Sequence, residues 1–572
     1  MAKAFFVNLA LMLSSAVLFA GAFPNLLAEH GIPFLAWVAY VPVFLLLQRV
    51  GLAASVFWGA FYGYASYGLF NYWLTAFHPL AGLIVGSIYL VYNAALFFLL
   101  RLAIVFFPRR FYLVQWLIWL AYEYLCTKGF LGYPYGISGY SQWRMIPLIQ
   151  IAGLCGVWGV SALVVFPSVW LGAALQINSI DLTQKHKDTK PQRNENAELA
   201  KHGLFSFSSL RAFAPSCLRV KNLRIFLKKE KVPILVWAAA LVAALVYGIA
   251  APSDYSSLPQ ANIALIQHNT DPWRGGIRQY RSNFDTLKRL SDEALAAEPK
   301  PDMVVWSETA FVPRIYWHGT YRDDQDSWLL VKDLLEYLAS QDVPFVIGND
   351  DGRKEPAKNP RAEEDFRVDY NAALLFWDGK IAASYRKLHL VPFTEHFPYK
   401  KQFPAIHRAL LDADTHLWEK GSDATVFSGP GFAFSTPICF EDTFGYLSRQ
   451  FVRNGAELIV NLSNDAWSQS LPAQNQHLSM AVFRAVENRR SLVRSTASGQ
   501  TCGVAPNGKI IGMAPPFAEA WLNVSVPIAK SGTLYTRWGD YLAVGFTVAA
   551  VSLLLFGGIA CIINKRLQRR KE

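Results

Sequence analysis

One stretch decides the fold of the polar half of this chain: Gly431-Phe432-Ala433-Phe434-Ser435-Thr436-Pro437-Ile438-Cys439-Phe440-Glu441-Asp442. Its apolar run predicts a buried strand that ends just before Cys439, and the residues from Asp442 to about Val452 predict a helix. The thiol would then lie at a strand-to-helix corner, where the free N–H groups of the helix N-terminus stabilise a thiolate. A lone cysteine is more often a buried structural residue, but the carboxylates of Glu441 and Asp442 argue against a purely apolar site.

Two polar constellations upstream support a reactive site. The strand-like run Met303–Trp306 ends in a turn that carries Glu308, and Lys387 stands at a further strand end, before a loop broken by prolines. A glutamate, a lysine and a cysteine at successive strand ends, in that chain order, resemble the pattern of the nitrilase (carbon–nitrogen hydrolase) superfamily. Each motif alone is weak. The ordered set is specific, because Asn461-Leu462-Ser463-Asn464-Asp465-Ala466-Trp467 follows it.

The composition indicates a membrane protein. Of 572 residues, 53% are hydrophobic and only 17% are charged, which is too apolar for an ordinary soluble enzyme. The net charge of +12 is unevenly distributed: residues 177–232 carry 12 Lys+Arg against 5 Asp+Glu, whereas residues 252–540 carry 30 against 34. The large polar segment is therefore slightly acidic. This argues against nucleic acid as a partner and favours a membrane-topology signal.

Eight apolar segments are long enough, or nearly so, to cross a hydrocarbon core of ~30 Å as helices. We predict spans near residues 5–22, 33–48, 52–74, 81–106, 111–126, 147–175, 233–251 and 541–563. The first could be a cleaved signal peptide, but the apolar segments that follow at once favour an uncleaved span. The predicted domains are a membrane domain with seven spans, a large polar domain, and a last span with a basic tail: residues 1–251, 252–540 and 541–572.

Lysine and arginine residues set the predicted orientation, because they accumulate on the cytoplasmic side. With the N-terminus inside, Arg49, Arg109, Arg110, the segment 177–232 and the tail all fall in the cytoplasm. An even number of spans then places both termini in the cytoplasm and residues 252–540 outside the cell membrane. The segment 177–232 is predicted to be a basic, flexible cytoplasmic loop, since it is rich in Ser, Asn, Lys and Gln.

From Asn262 onward, short β-rich runs alternate with helical ones, which predicts an α/β layered domain. The predicted strands are 263–267, 303–306, 345–347, 372–377, 380–385 and 458–462. The predicted helices are 278–297, 327–340 and 476–487.

A membrane protein of eight spans, with a nitrilase-like domain between the last two, resembles the apolipoprotein N-acyltransferase family. Matching stretches are Gly21-Ala22-Phe23-Pro24, Gly132-Tyr133-Pro134, Gly139-Tyr140-Ser141-Gln142, Asn464-Asp465-Ala466-Trp467 and Tyr535-Thr536-Arg537-Trp538-Gly539-Asp540. The resemblance covers nearly the whole chain. It implies a multi-pass α-helical membrane domain and an αββα sandwich.

The resemblance also implies an activity. The family transfers a fatty acyl chain from a membrane phospholipid, through a cysteine thioester, to the α-amino group of the N-terminal diacylglyceryl-cysteine of apolipoproteins. It makes Cys439 the nucleophile, Glu308 the general base and Lys387 the oxyanion stabiliser, with Glu395 and Glu441 in support. These residue types suit acyl transfer to and from a thiol.

Further expectations concern the surroundings of the site. Trp273 and Trp467 are expected to line the substrate path, although both would also suit packing. The aromatic, glycine-rich loop 129–136 is expected at the membrane surface, either as an aromatic belt or as a wall of a lipid-facing site. The expected partners are the phospholipid donor, the apolipoprotein acceptor and the membrane, and the chain is expected to be a monomer.

No metal or cofactor is expected, because the six cysteines lack metal-ligand spacing. A disulfide between Cys439 and Cys502 is conceivable, but it would consume the nucleophile. Two other functions stay open at this point. One is a membrane-anchored amidase or nitrilase that passes its acyl group to water. The other is a transporter or scaffold, which the scarcity of charges in the spans and the lack of an inverted repeat disfavour.

Overall fold

A computed structural model describes residues 2–77, 81–175, 226, 229–252, 254–270, 274–355, 366–412 and 416–569. Trp273 and most of the segment 177–232 lie outside these residues. The described chain has a helical part, formed by the residues before 252 and after 540, and a two-sheet part between them. The predicted fold class, an α-helical membrane domain with an α/β sandwich, is confirmed.

The helical part contains long apolar helices joined by short ones. Its α-helices are Ala2–Ala22, Val41–Arg49, Leu52–Phe70, Leu74–Phe77, Ala81–Phe106, Phe111–Leu125, Ile146–Ile149, Ala152–Cys155, Val157–Ala174, Lys231–Ala250 and Tyr541–Arg569. Within the described ranges, five of them are long and apolar enough to cross a membrane: Ala2–Ala22, Ala81–Phe106, Val157–Ala174, Lys231–Ala250 and Tyr541–Arg569. The other three predicted spans coincide with shorter or less apolar helices, so the number of eight stays a prediction.

The predicted span 147–175 is interrupted. It consists of three helices, Ile146–Ile149, Ala152–Cys155 and Val157–Ala174. Gly156 separates the last two with φ +68°, a left-handed backbone conformation that favours glycine. The pattern of hydrophobic residues alone does not reveal this break, because apolar residues continue across it.

The two-sheet part has twelve described strands. They are β1 Gln260–Gln267, β2 Met303–Trp306, β3 Phe345–Glu355, β4 Phe366–Trp377, β5 Lys380–Arg386, β6 Val426–Ser428, β7 Ala433–Ser435, β8 Leu458–Ser463, β9 Ser491–Thr496, β10 Cys502–Val504, β11 Ile510–Met513 and β12 Ala520–Pro527. One sheet has the order β12-β1-β2-β3-β4-β5 and the other has the order β11-β10-β9-β8-β7-β6. The central strands β1–β3 and β7–β9 run parallel. They bring their carboxyl ends, and the polar residues that follow, to one edge of each sheet.

The two sheets pack face to face, with helices on their outer faces. The hydroxyl of Ser495 on β9 donates to the carbonyl oxygens of Ile266 and Val305, at 3.1 and 3.0 Å, and so joins the sheets. Helices of the two-sheet part are Ile277–Leu295, Ile315–Tyr321, Gln325–Ala339, Pro404–Asp412, Gly445–Arg453, Leu471–Asn488 and Leu534–Trp538. All four side chains of β2 are fully buried. Burial of each large apolar side chain contributes about 1.5–3 kcal/mol, which explains why this short strand forms the centre of its sheet.

The helix Leu471–Asn488 joins the two parts. Gln476 accepts a hydrogen bond from Trp73 Nε1 at 3.1 Å and donates to the Pro24 carbonyl at 2.9 Å. Two turns later, Arg484 donates to the Tyr140 hydroxyl at 3.0 Å. Every residue of this helix from Pro472 to Asn488 is buried, so the two parts share a continuous core.

Candidate active site

Cys439 begins a short 3₁₀ turn, Cys439–Thr443, which we call the cysteine turn. The predicted helix start at Asp442 is wrong: the α-helix begins at Gly445, because the cysteine turn occupies the preceding residues. Cys439 has φ +50°, a left-handed conformation that is strained for a residue with a side chain. Asn461 on β8 stabilises this backbone, since its amide donates to the carbonyl oxygens of Pro437 and Cys439 at 3.1 and 3.4 Å.

Glu308 follows the end of β2 and is buried. Its Oε1 accepts hydrogen bonds from Asn371 Nδ2 at 2.8 Å and from Lys387 Nζ at 3.2 Å. Its Oε2 accepts from the backbone N–H of Asn464 at 3.0 Å. The carboxylate is therefore held from both sheets, in one orientation.

Lys387 directly follows β5 and is fully buried. Its Nζ donates to Glu308 at 3.2 Å and to Glu395 Oε1 at 2.8 Å. Burial alone would lower the lysine pKa, but the charges of Glu308 and Glu395 outweigh it and raise the pKa well above its ordinary value. Lys387 is therefore a fixed buried cation.

The two supporting glutamates hold the loops around these groups. Glu395 accepts from Lys387 and from the Val391 N–H at 2.9 Å. Glu441 is buried in the cysteine turn, and it accepts from the N–H groups of Ile438, Leu388 and His389 at 2.7–2.9 Å. Burial raises the pKa of Glu441 to about 7, although these hydrogen bonds oppose it. Glu441 thus ties the cysteine turn to the residues that follow Lys387.

The surroundings of Cys439 favour the neutral thiol. Burial, and then the negative charge of Glu308, raise the pKa of Cys439 well above its ordinary value, while Lys387 opposes them. A thiol of this kind needs a base in order to react. The predicted stabilisation of a resting thiolate by a helix N-terminus is therefore outweighed by burial and negative charge.

A buried cluster of four charges lies beside the cysteine turn. His477 Nε2 contacts Asp442 Oδ1 at 2.7 Å, and its Nδ1 contacts Asp465 Oδ1 at 3.1 Å. Arg494 donates to the same two carboxylates, to Asp442 through Nη1 and to Asp465 through Nη2, the latter at 3.1 Å. All four side chains are buried. Sequence reasoning did not find this cluster, because its members come from four separate elements.

The sequence also did not predict that Asn371 and Asn464 donate hydrogen bonds to Glu308. Asn464 lies in the motif of residues 461–467, but it contacts Glu308 through its backbone N–H, which a pattern of side chains does not reveal. Asn371 lies inside β4, two residues after Asp369 in a run of alternating polar and apolar residues. Only the antiparallel pairing of β4 with β5 aligns it beside Lys387, whose N–H donates to the Asn371 carbonyl at 2.8 Å.

Trp467 lies in a 3₁₀ turn, Ala466–Ser468, at the boundary with the helical part. Its ring is 5.7 Å from the ring of Trp73, which in turn lies 5.8 Å from that of Tyr135. Tyr135 stacks on Tyr133 at 4.6 Å, and Tyr133 lies 6.4 Å from Phe440, the neighbour of Cys439. Aromatic side chains of the helical part therefore connect the two turns that flank the candidate site.

The loop 129–136 also reaches the residues around Glu395. The ring of Phe130 lies 5.3 Å from that of Phe393 and 5.4 Å from that of Tyr399. Phe130 thus packs against both ends of the loop that carries Glu395.

Cys439 and Cys502 are both free thiols, so the conceivable disulfide between them is not formed. Among the residues that the structure describes, no group of three or more His, Cys, Asp or Glu side chains is placed to hold a metal ion. The catalytic roles of Glu308, Lys387 and Cys439 stay predictions.

Comparison with known proteins agrees with this architecture. Residues 262–534 match the family model of carbon-nitrogen hydrolases, and residues 15–170 match that of the apolipoprotein N-acyltransferase N-terminal domain. The chain is 43% identical to apolipoprotein N-acyltransferase 1 of Treponema denticola over 99% of this chain and 98% of that protein. It is 45% identical to apolipoprotein N-acyltransferase 1 of Treponema pallidum over 96% of this chain and 95% of that protein. The chain therefore belongs to the apolipoprotein N-acyltransferase family, within the nitrilase superfamily.

Proposed function

We propose that this protein transfers a fatty acyl chain from a membrane phospholipid to the α-amino group of the N-terminal diacylglyceryl-cysteine of apolipoproteins, the last step of lipoprotein maturation. The observation that carries the proposal is the buried chain of hydrogen bonds Glu308–Lys387–Glu395 beside the Cys439 turn, in a protein with apolar helices at both ends. Family membership supports the choice of substrates.

In the first step, Glu308 accepts the proton of the Cys439 thiol as the sulfur attacks the carbonyl carbon of the phospholipid ester. The oxyanion that develops is stabilised by the ammonium group of Lys387, which is already desolvated and held by Glu395. The ester C–O bond then breaks, and the leaving alkoxide takes the proton from Glu308. Lysophospholipid departs and the acyl group remains as a thioester on Cys439.

In the second step, the α-amine of the lipoprotein attacks the thioester carbonyl and gives a proton to Glu308. The C–S bond breaks, the thiolate recovers the proton, and the product is an amide. The same base and the same cation thus serve both steps. Phospholipid transfer into water would cost ~0.8 kcal/mol for each exposed CH₂ group, so the reacting thiol has to lie close to the lipid.

The domain organisation and the orientation of the chain belong to this proposal. Residues 1–251 and 541–572 form the membrane domain, with eight spans and both termini in the cytoplasm. Residues 252–540 form the catalytic domain on the periplasmic side of the inner membrane, where exported lipoproteins are found. We further propose that the enzyme acts as a monomer and that Trp467 and Trp273 line the substrate path.

Labelling with a membrane-impermeant thiol reagent tests the orientation. In intact spheroplasts, we expect Asp342→Cys to be labelled, because Asp342 is exposed on the two-sheet part, and Asn194→Cys to be protected. Lysed cells serve as the control, because both positions should then react. Labelling of position 194 but not of position 342 in intact spheroplasts would overturn the orientation.

Decay of the isolated acyl-enzyme separates transferase from hydrolase. We expect lysophospholipid to be released on mixing with phospholipid, and N-acylated product to appear only after a diacylglyceryl-cysteine peptide is added, which is a ping-pong sequence. The aromatic residues beside the site support a slow reaction with water. The measurement is the lifetime of the thioester with and without the peptide. If the thioester decays equally fast in buffer and free fatty acid accumulates, the protein is an amidase-type hydrolase.

A further inference from the structure

We propose that Asp442, Asp465, His477 and Arg494 form a positioning device, which fixes the separation between the nucleophile Cys439 and the base Glu308. The proposal rests on the proposed function for its account of what these two groups do. The four residues are called the charge cluster below. They act through two turns: the cysteine turn, which carries Cys439, and the turn at residues 464–465, whose Asn464 N–H orients Glu308.

The first step of the argument is the location of the two carboxylates. Asp442 belongs to the cysteine turn, three residues after Cys439. Asp465 directly follows Asn464, whose N–H donates to Glu308 Oε2 at 3.0 Å. Asp442 is therefore fixed to the segment that carries the nucleophile. Asp465 is fixed to the segment whose N–H orients the base.

The second step is that both cations bridge the two turns. His477 uses one ring nitrogen for each aspartate, at 2.7 and 3.1 Å. Arg494 uses one terminal nitrogen for each of the same aspartates. His477 comes from the helix Leu471–Asn488 and Arg494 from β9, so the turns are linked twice, from two rigid elements.

The third step is the charge balance. Burial would lower the pKa of His477, but Asp442 and Asp465 raise it to about 9. The pKa of Asp465 is about 2, because His477 and Arg494 outweigh its burial. Two cations thus meet two carboxylates. Buried ion pairs are weak contributors to net stability, since well-packed apolar residues can replace them. Geometric specificity is the property that they supply here.

The fourth step is the effect of nearby charges on the pKa of the Cys439 thiol. The charged groups that act on the Cys439 thiol include Glu308, Lys387, Glu395, Asp465 and Arg494. The negative charge of Asp465 helps to raise the thiol pKa. In the intact charge cluster, His477 and Arg494 compensate this negative charge. Removal of an anion from the charge cluster should therefore lower the thiol pKa, and removal of a cation should raise it.

The test uses His477→Gln and Asp465→Asn in the full-length protein. Two quantities are measured for each: the rate of acyl-enzyme formation from phospholipid, and the pH dependence of Cys439 alkylation by iodoacetamide, followed by peptide mass analysis. We expect both variants to form acyl-enzyme about 10²-fold more slowly, the effect of misplacing reacting groups by about 1 Å. We expect the apparent thiol pKa to rise in His477→Gln and to fall in Asp465→Asn.

A matched control is Arg489→Gln, which removes a buried charge from the end of the same helix. Arg489 donates to the Gln150 side chain and to the Pro506 carbonyl, which lie outside the cysteine turn and outside residues 464–465, so both quantities should stay close to those of the wild type. Acylation of both cluster variants at the wild-type rate would overturn the proposal, and so would pKa shifts of the same sign. If the wild type itself forms no acyl-enzyme, the proposed function fails, whereas the alkylation profiles still test the charge cluster.

Discussion

Cys439→Ala is expected to abolish both the thioester and the N-acylated product. Without the sulfur there is no atom to carry the acyl group between donor and acceptor. Loss of a catalytic nucleophile lowers turnover by about 10⁶-fold in comparable enzymes, which is below detection in a phospholipid assay. Intact mass analysis after mixing with phospholipid measures the adduct, and chromatography of a lipopeptide measures the product.

The control for this substitution is Cys502→Ala. Cys502 is a free, buried cysteine on β10 of the same sheet as β7, so its replacement tests the general effect of losing a thiol from this domain. We expect the Cys502 variant to keep the acyl adduct. A fatty-acyl adduct on the Cys439→Ala protein would show that another residue is the nucleophile.

Lys387→Met is expected to lower the rate of acyl-enzyme formation by about 10²–10³-fold, the usual effect of losing one oxyanion-stabilising donor. Methionine nearly preserves the length of the side chain but removes the charge. Burial raises the pKa of Glu395 and the charge of Lys387 opposes this rise, so loss of the charge should raise the pKa of Glu395 further.

The measurement is the single-turnover rate of acylation as a function of pH. Lys401→Met serves as the control, since Lys401 is an exposed lysine beyond the loop that carries Glu395, and it should acylate at the wild-type rate. Normal acylation by Lys387→Met would show that the oxyanion is stabilised by another group. A fold-check by thermal unfolding in detergent accompanies both variants, because Lys387 is fully buried.

Local patterns predicted the central elements of the two-sheet part well. The strand predicted at 303–306 coincides with β2, and the strand predicted at 458–462 is one residue shorter than β8. Such strands are buried on both faces and read as continuous apolar runs. The helix predicted at 476–487 begins five residues earlier, at Leu471. Pro472 in its first turn concealed the start, although proline is well tolerated there.

The contacts of the candidate site were predictable only in part. Both Glu308 and Lys387 were predicted at strand ends. The two antiparallel pairings β3–β4 and β4–β5 give β5 the same direction as β2, so the carboxyl ends of both strands lie at one edge of the sheet, where Lys387 and Glu308 meet at 3.2 Å. The charge cluster could not be expected, because His477 and Arg494 look like ordinary polar residues in an amphipathic helix and a strand. The role of these two side chains depends on which segments pack against them, and the tertiary fold decides that packing.

The buried helix Leu471–Asn488 has a consequence for how such a protein can be made. His477 of this helix belongs to the charge cluster, while Gln476 and Arg484 bind the helical part. A gene fragment that encodes only residues 252–540 would expose Gln476, Arg484 and Glu487 to solvent, together with the apolar surface between them. Such a fragment would be prone to aggregation. We therefore expect the turns around the candidate site to reach their final packing only after the helical part has folded against this helix, so that the full-length chain is the unit that has to be expressed and purified.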